Sequence, residues 1–148
     1  ALLSKRFDYE TKIVSDAKPL LEEISSVSRK IKVAKDITRG GLAAATNEIC
    51  ERYNIGMRIE ESDIPVKDEV RRVSEMLGVD PYHLACEGRF ICIAQRENAE
   101  DVEKKLRRYN KDAAIVGDVV SGREVILQTF LGKRMLPQPM GRLVPRIC

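Results

Sequence analysis

Three places along this chain combine residue types and spacing that could do chemistry. Asp36-Ile-Thr-Arg-Gly-Gly41 stands where a loop turns into a helix. Two glycines there let backbone approach a ligand, free N–H groups at a helix start favour an anion, and Arg39 could grip a phosphate or carboxylate with two bonds. A plainer alternative is that Asp36 or Thr38 caps the helix and Gly40 and Gly41 only make the turn. Cys86-Glu87-Gly88 lies at the entrance of an apolar strand, where a partly desolvated carboxylate could act as a general base, or Glu87 could be an ordinary exposed loop residue. The third place is Cys148, the last residue of the chain. It follows a basic stretch broken by prolines, an arrangement suited to loading a thiol at one place and delivering it at another, or it could be no more than a chance terminus.

Several kinds of chemistry are excluded at once. His83 is the single histidine, so no triad or metal cluster needing two imidazoles can form within the chain. It follows Asp80-Pro81-Tyr82 and is read most simply as a turn residue. Cys50, Cys86, Cys92 and Cys148 form no C-x-x-C pair, which removes zinc-ribbon and thioredoxin readings. Cys50, Cys86 and Cys92 read as inert core thiols in a cytoplasmic protein. The 26 Lys and Arg against 23 Asp and Glu give a net +3, too little to argue for nucleic acid, and at 5% aromatics with no Trp there is no base-stacking platform. No apolar run approaches the ~20 residues a membrane helix needs.

The 148 residues must supply one domain with a core. Pro19 to Lys30 is expected as a helix, with Ser15 or Asp16 before it as a cap, and a second helix runs from Leu42 to about Tyr53. Its stripe is Leu42, Ala45, Thr46, Ile49 and Tyr53. Ile55 to Ile59 alternates as a strand. A helix with Val66, Val70, Val73 and Leu77 follows and stops at Gly78. Phe90 to Ala94 reads as a strand covered on both faces. Asn98 to Tyr109 reads as a surface helix whose charges suit its dipole, with Ala99, Val102, Leu106 and Tyr109 facing inward. Ala113–Val120 and Val125–Leu131 are predicted strands joined as a hairpin around Ser121-Gly122. The fold class expected is α+β, a three-layer α/β/α arrangement with a mixed sheet. Residues 133–148, with Lys133, Arg134, Arg142 and Arg146, three prolines and no acid, are expected as an extended tail. Fully stretched, sixteen residues span on the order of 50 Å.

At these residues a family becomes recognisable. Asp36 to Leu42, continuing as Ala-Ala-Ala-Thr-Asn-Glu-Ile, resembles the corresponding helix start in the HypE family of hydrogenase maturation proteins. Ile64-Pro-Val, the Leu77-Gly-Val-Asp-Pro turn, Leu84-Ala-Cys-Glu-Gly88 and the ending Pro145-Arg146-Ile147-Cys148 also fit it. Aminoimidazole ribonucleotide synthetase and selenophosphate synthetase share the wider architecture without the terminal cysteine.

The resemblance implies a nickel–iron hydrogenase maturation factor that makes the cyanide ligands of the active-site iron. Cys148 is then the thiol that receives a carbamoyl group from HypF, and ATP-dependent dehydration converts it to S-cyanide for delivery to a HypC–HypD complex. Glu87 becomes the candidate base, and Asp36, Thr38, Arg39, Gly40 and Gly41 line the phosphate or tail side of the cleft. Cys86 departs from the family, which more often has Asn before this Glu-Gly. ATP and Mg2+ would be held mainly by an N-terminal domain that also forms a homodimer. Nothing like its glycine- and aspartate-rich sequence occurs here, so the chain is expected to be the C-terminal domain, separated or stand-alone and inactive by itself. The alternatives are a non-catalytic docking module for other maturation proteins, or an ATP-dependent synthetase relative acting on a small molecule.

Overall fold

The computed structural model of the protein describes residues 17–139. Ser15, Asp16, Arg142, Pro145, Arg146 and Cys148 lie outside the described residues. The elements are α1 (Leu21–Val27), β1 (Ile31–Ile37), α2 (Gly41–Tyr53), β2 (Gly56–Glu60), α3 (Asp68–Leu77), β3 (Cys86–Ala94), α4 (Arg96–Leu106), β4 (Gly117–Val120), β5 (Val125–Thr129) and β6 (Gly132–Met135). Short 3-10 turns occupy Glu61–Asp63 and Pro81–His83. The class is α+β, as expected, with helices packed against sheets.

Among the described residues the strands divide between two sheets. β1 and β3 form an antiparallel ribbon, while the other four make a mixed sheet in the order β4-β2-β5-β6. β2 runs antiparallel to β4 and parallel to β5, and β5 and β6 are antiparallel. The hairpin expected around Ser121-Gly122 therefore does not form. The chain does reverse there, but β2 occupies the space between β4 and β5, and its Met57 N–H bonds to the Glu124 carbonyl at 3.0 Å. Met57 and Ile59 point into the core from that central position. The actual hairpin joins β5 to β6 through Phe130 and Leu131, with Thr129 opposite Gly132.

Other boundaries move for local reasons. α1 stops at Val27, and Ile31-Lys-Val-Ala-Lys-Asp-Ile37 alternates between half-buried and exposed, so a period of two wins over a longer helix. β3 is half-buried through Phe90–Ala94 rather than fully covered on both faces. α4 ends at Leu106, which leaves Tyr109 exposed, whereas Val102 is buried as expected. Gly78 ends α3 in a left-handed conformation, and Val79 N–H closes back on the Ser74 carbonyl at 2.9 Å. The extended tail was expected to begin at 133. Its first residues instead form β6, and Leu136 is buried with its N–H on the Val125 carbonyl at 2.8 Å.

α2 is the helix around which both sheets pack. Gly41, Ala43, Ala44 and Ala45 are small enough for strands of each sheet to approach closely, and Leu42, Ile49 and Cys50 fill the space with Met57, Val125 and Leu127. Burial thus extends well beyond the expected stripe, although Tyr53 is exposed. The buried Thr46 hydroxyl donates within the helix to the Leu42 carbonyl at 2.8 Å.

Two outcomes follow for stability. Leu127 is 0% exposed at the centre of this core, so Leu127→Ala should cost about 2–5 kcal/mol in urea unfolding. At the N-terminal edge, the Lys18 ammonium bonded to Glu23 holds that carboxyl below its ordinary value. A lowered folded pKa stabilises above the ordinary carboxylate range and loses that contribution as pH falls through the folded value. Glu23→Gln should therefore unfold more easily than wild type at pH 7, with the gap closing in acid. An equal gap at pH 7 and pH 2 would contradict the assignment.

Candidate functional site

Two of the segments singled out in the sequence come together at one end of the β1–β3 ribbon. Asp36 pairs with Phe90 and the next residue, Ile37, pairs with Cys86, so Glu87, Gly88 and Arg89 leave the ladder beside that link. The bulge sets Glu87 next to the loop that opens α2. Glu87, Asp36 and Arg39 are exposed, Thr38 is half-buried and Gly88 is buried. Among the described residues no ion pair engages Asp36, Arg39 or Glu87, and all three are exposed.

The loop itself is a tight turn. Gly41 N–H donates to the Thr38 carbonyl at 2.9 Å, and Gly40 between them has φ of 89° and ψ of 0°, the third position of a type II turn. Neither Asp36 nor Thr38 caps the helix through its side chain. Gly41, at φ of 66°, has a second constraint. A Cβ there would strike the Tyr82 carbonyl oxygen and lie 2.7 Å from His83 C and Leu84 O. These glycines let the turn form and let the 82–84 backbone sit on the start of α2. With its N–H already used, Gly41 is no phosphate donor.

The 3-10 turn above the helix is held firmly. The Asp80 carboxylate accepts from Tyr82 N–H at 2.9 Å, and its other oxygen binds Arg134 at 2.8 Å. The Arg134 guanidinium also lies over the Tyr82 ring, 5.9 Å from its centroid. Burial, with Glu61 beside the hydroxyl, pushes the Tyr82 phenol above its ordinary value. His83 belongs to this turn as read, and its Nε2 is buried with no hydrogen-bond partner among the described residues. Cys50 is a core thiol and Cys92 is half-buried on β3, each pushed up by burial, and Cys86 Sγ donates to the Leu84 carbonyl at 3.6 Å. Among the described residues no three His, Cys, Asp or Glu side chains gather as a metal site.

Sequence reasoning missed the residues that bring the C-terminal segment here. Asn47, half-buried on α2, donates to the Ala43 carbonyl and to the Leu136 carbonyl, both at 2.8 Å. From Leu136 the chain follows α2 back toward its start. Pro139 arrives beside Gly40, where its Cγ would be 3.3 Å from an added Cβ. A mid-helix Asn following the small run Ala43-Ala-Ala-Thr46 was the available signal. Its partner, 89 residues away, was not readable.

A sheet-and-helix domain with this order of elements defines a known class. Residues 8–129 match the family described as AIR synthase related protein, C-terminal domain, and the chain belongs to that family. Over its whole length it is 38% identical to carbamoyl dehydratase HypE of Bradyrhizobium diazoefficiens, covering 46% of that protein. The crystal structure of hydrogenase maturation protein HypE in complex with ATP superposes with a TM-score of 0.92 at 33% identity, over 99% of this chain and 48% of that one. The HypE–HypF complex gives 0.87 at 35% identity, over 94% and 48%. The resemblance to HypE read from the motifs therefore holds along the chain, which spans about half the length of the curated relatives it matches.

Gly41→Ala tests the packing at the head of the site. Left-handed backbone and a collision with fixed carbonyls should together cost about 2–4 kcal/mol in thermal or urea unfolding. Gly78→Ala, left-handed but with open space around it, should cost only about 1 kcal/mol.

Proposed function

We propose that this chain is the C-terminal, thiol-bearing part of a carbamoyl dehydratase that supplies cyanide ligands during nickel–iron hydrogenase maturation. The observation that carries the reading is the course of Leu136–Pro139. It leads the C-terminal segment along α2 to the turn where Asp36, Arg39 and Glu87 are open to a ligand. Cys148 lies nine positions beyond Pro139, a span of at most about 30 Å, so the thiol can reach this end of the ribbon. The names of the relatives support the same chemistry, and the HypE–HypF complex supports HypF as the carbamoyl donor.

In this reading Cys148 Sγ carries a carbamoyl group. The amide oxygen is a poor leaving group, and transfer of the γ-phosphoryl of ATP to it, with loss of ADP, makes a good one. Departure of that oxygen as phosphate, with removal of both amide protons, leaves the S–C≡N group. Glu87 takes a proton from the amide nitrogen. Arg39 neutralises phosphate oxygens from the exposed side of the turn, and Asp36 lies beside it. Thr38, Gly40 and Gly41 shape the tail side. ATP and its Mg2+ are bound mainly by the N-terminal half of the full enzyme, which also pairs two copies. The cyano group then passes to HypC–HypD in the cytoplasm. This domain alone does not turn over ATP.

The test is to combine this chain with the N-terminal half, HypF, a carbamoyl donor and ATP, and to follow the mass of the C-terminal peptide. Gain of one carbamoyl group followed by loss of one water at Cys148, with both absent in Cys148→Ala, is the expected result. Unmodified wild-type peptide under these conditions, or ATP hydrolysis by the 148-residue chain alone, would sink the reading. Glu87→Gln should retain the first mass change and slow the second by about 100-fold or more.

A further inference from the structure

We infer that Asn47 is a positioning residue for the Cys148 arm, fixing its origin at Leu136 and its heading along α2 toward Gly40. The inference rests on the reading of Cys148 as the carrier thiol. Strand β6 ends at Met135, so the Leu136 carbonyl has left the sheet ladder while its side chain remains 1% exposed. An acceptor in such surroundings needs a donor. The Asn47 amide supplies one proton to it and the other to Ala43 O, which sets the amide plane against the helix.

Leu136 is thus held from three directions. Its N–H is on Val125 O, its carbonyl is on Asn47, and its side chain is in the core. Arg134, on Asp80 and Tyr82, steadies the strand just before it. Beyond it, Pro137 and Pro139 bracket Gln138, and two fixed φ angles in three residues transmit a heading with little loss. Gly40 leaves room for Pro139 at the end of that short rod. Asn is also a poor choice for a helix interior, and its polar side chain here serves a partner far along the chain.

The two steps at Cys148 differ in what they ask of this origin. Loading takes place on another protein and needs only reach. Dehydration brings the carbamoyl group back to this protein's own cleft, where orientation governs rate. Loss of the Asn47 bond should therefore separate them.

The test compares Asn47→Ala with wild type in the assembled protein, well below the unfolding temperature of either, using single-turnover mass measurements on the C-terminal peptide. Loading by HypF should stay within about twofold, and dehydration should slow by about tenfold or more. Hydrogen exchange at the Leu136 amide, measured on the chain alone, should accelerate by a similar factor. Asn47→Leu, which keeps helix and volume but removes the donor, takes the place of Asn47→Ala if that variant does not fold. Equal slowing of both steps would mark a general structural role and overturn the inference, as would dehydration within about twofold of wild type. If wild-type Cys148 is never modified, the functional reading fails separately. Unchanged Leu136 exchange in the variant then overturns the positioning role as well.

Discussion

The contact between Gly41 and the backbone of Tyr82, His83 and Leu84 is the constraint on which the rest of this domain depends. It is a steric condition with little tolerance, since any Cβ at 41 meets carbonyl oxygen and carbon atoms that cannot move aside. Because it holds, the start of α2 is joined to the Pro81–His83 turn. Asp80 and Tyr82 in that turn then receive Arg134, and Arg134 fixes β6 just before Leu136. A glycine at one end of the chain's middle helix thereby governs where its C-terminal segment departs.

The same constraint explains why the candidate site lies at this end of the ribbon. β1 runs straight into the Thr38–Gly41 turn, and β3 begins at Cys86, two residues after Leu84, so both strands start or finish near the contact. The bulge at Glu87–Arg89 accommodates the mismatch between the two strands there. Arg39 and Glu87, oppositely charged and both open, are a product of that geometry rather than of any direct bond between them.

How much of this was legible in the sequence depended on the range of the forces involved. α2, α3 and α4 were readable because their signals are local: apolar spacing, Gly78 at a helix end, acids early and bases late in α4. β1 had a local signal too, in Ile31, Val33 and Ile37 at period two, but a preceding amphipathic helix obscured it. The partner of β4 was not readable. Ser121-Gly122 does reverse the chain, and no local feature shows that another strand will occupy the gap. The segments around Asp36 and Glu87 were found as motifs, and the structure brings them together. Asn47, Asp80 and Arg134 were missed because their significance lies in contacts that span 54 and 89 residues.

The placement of β2 between β4 and β5 has a consequence for how the chain assembles. Arg58 and Asp118, which face each other across that ladder, are 60 residues apart, and every neighbour of β2 in the sheet comes later than the whole of α3, β3 and α4. As the polypeptide emerges during synthesis, β2 must wait, unpaired on both edges, until its C-terminal partners arrive. Pairing at such separation is entropically slow to begin. The four-stranded sheet is therefore among the last parts of the domain to close, and Leu136 can be secured only after it has. The backbone bond that holds Leu136 to Val125 is thus one of the contacts that a late-closing sheet supplies.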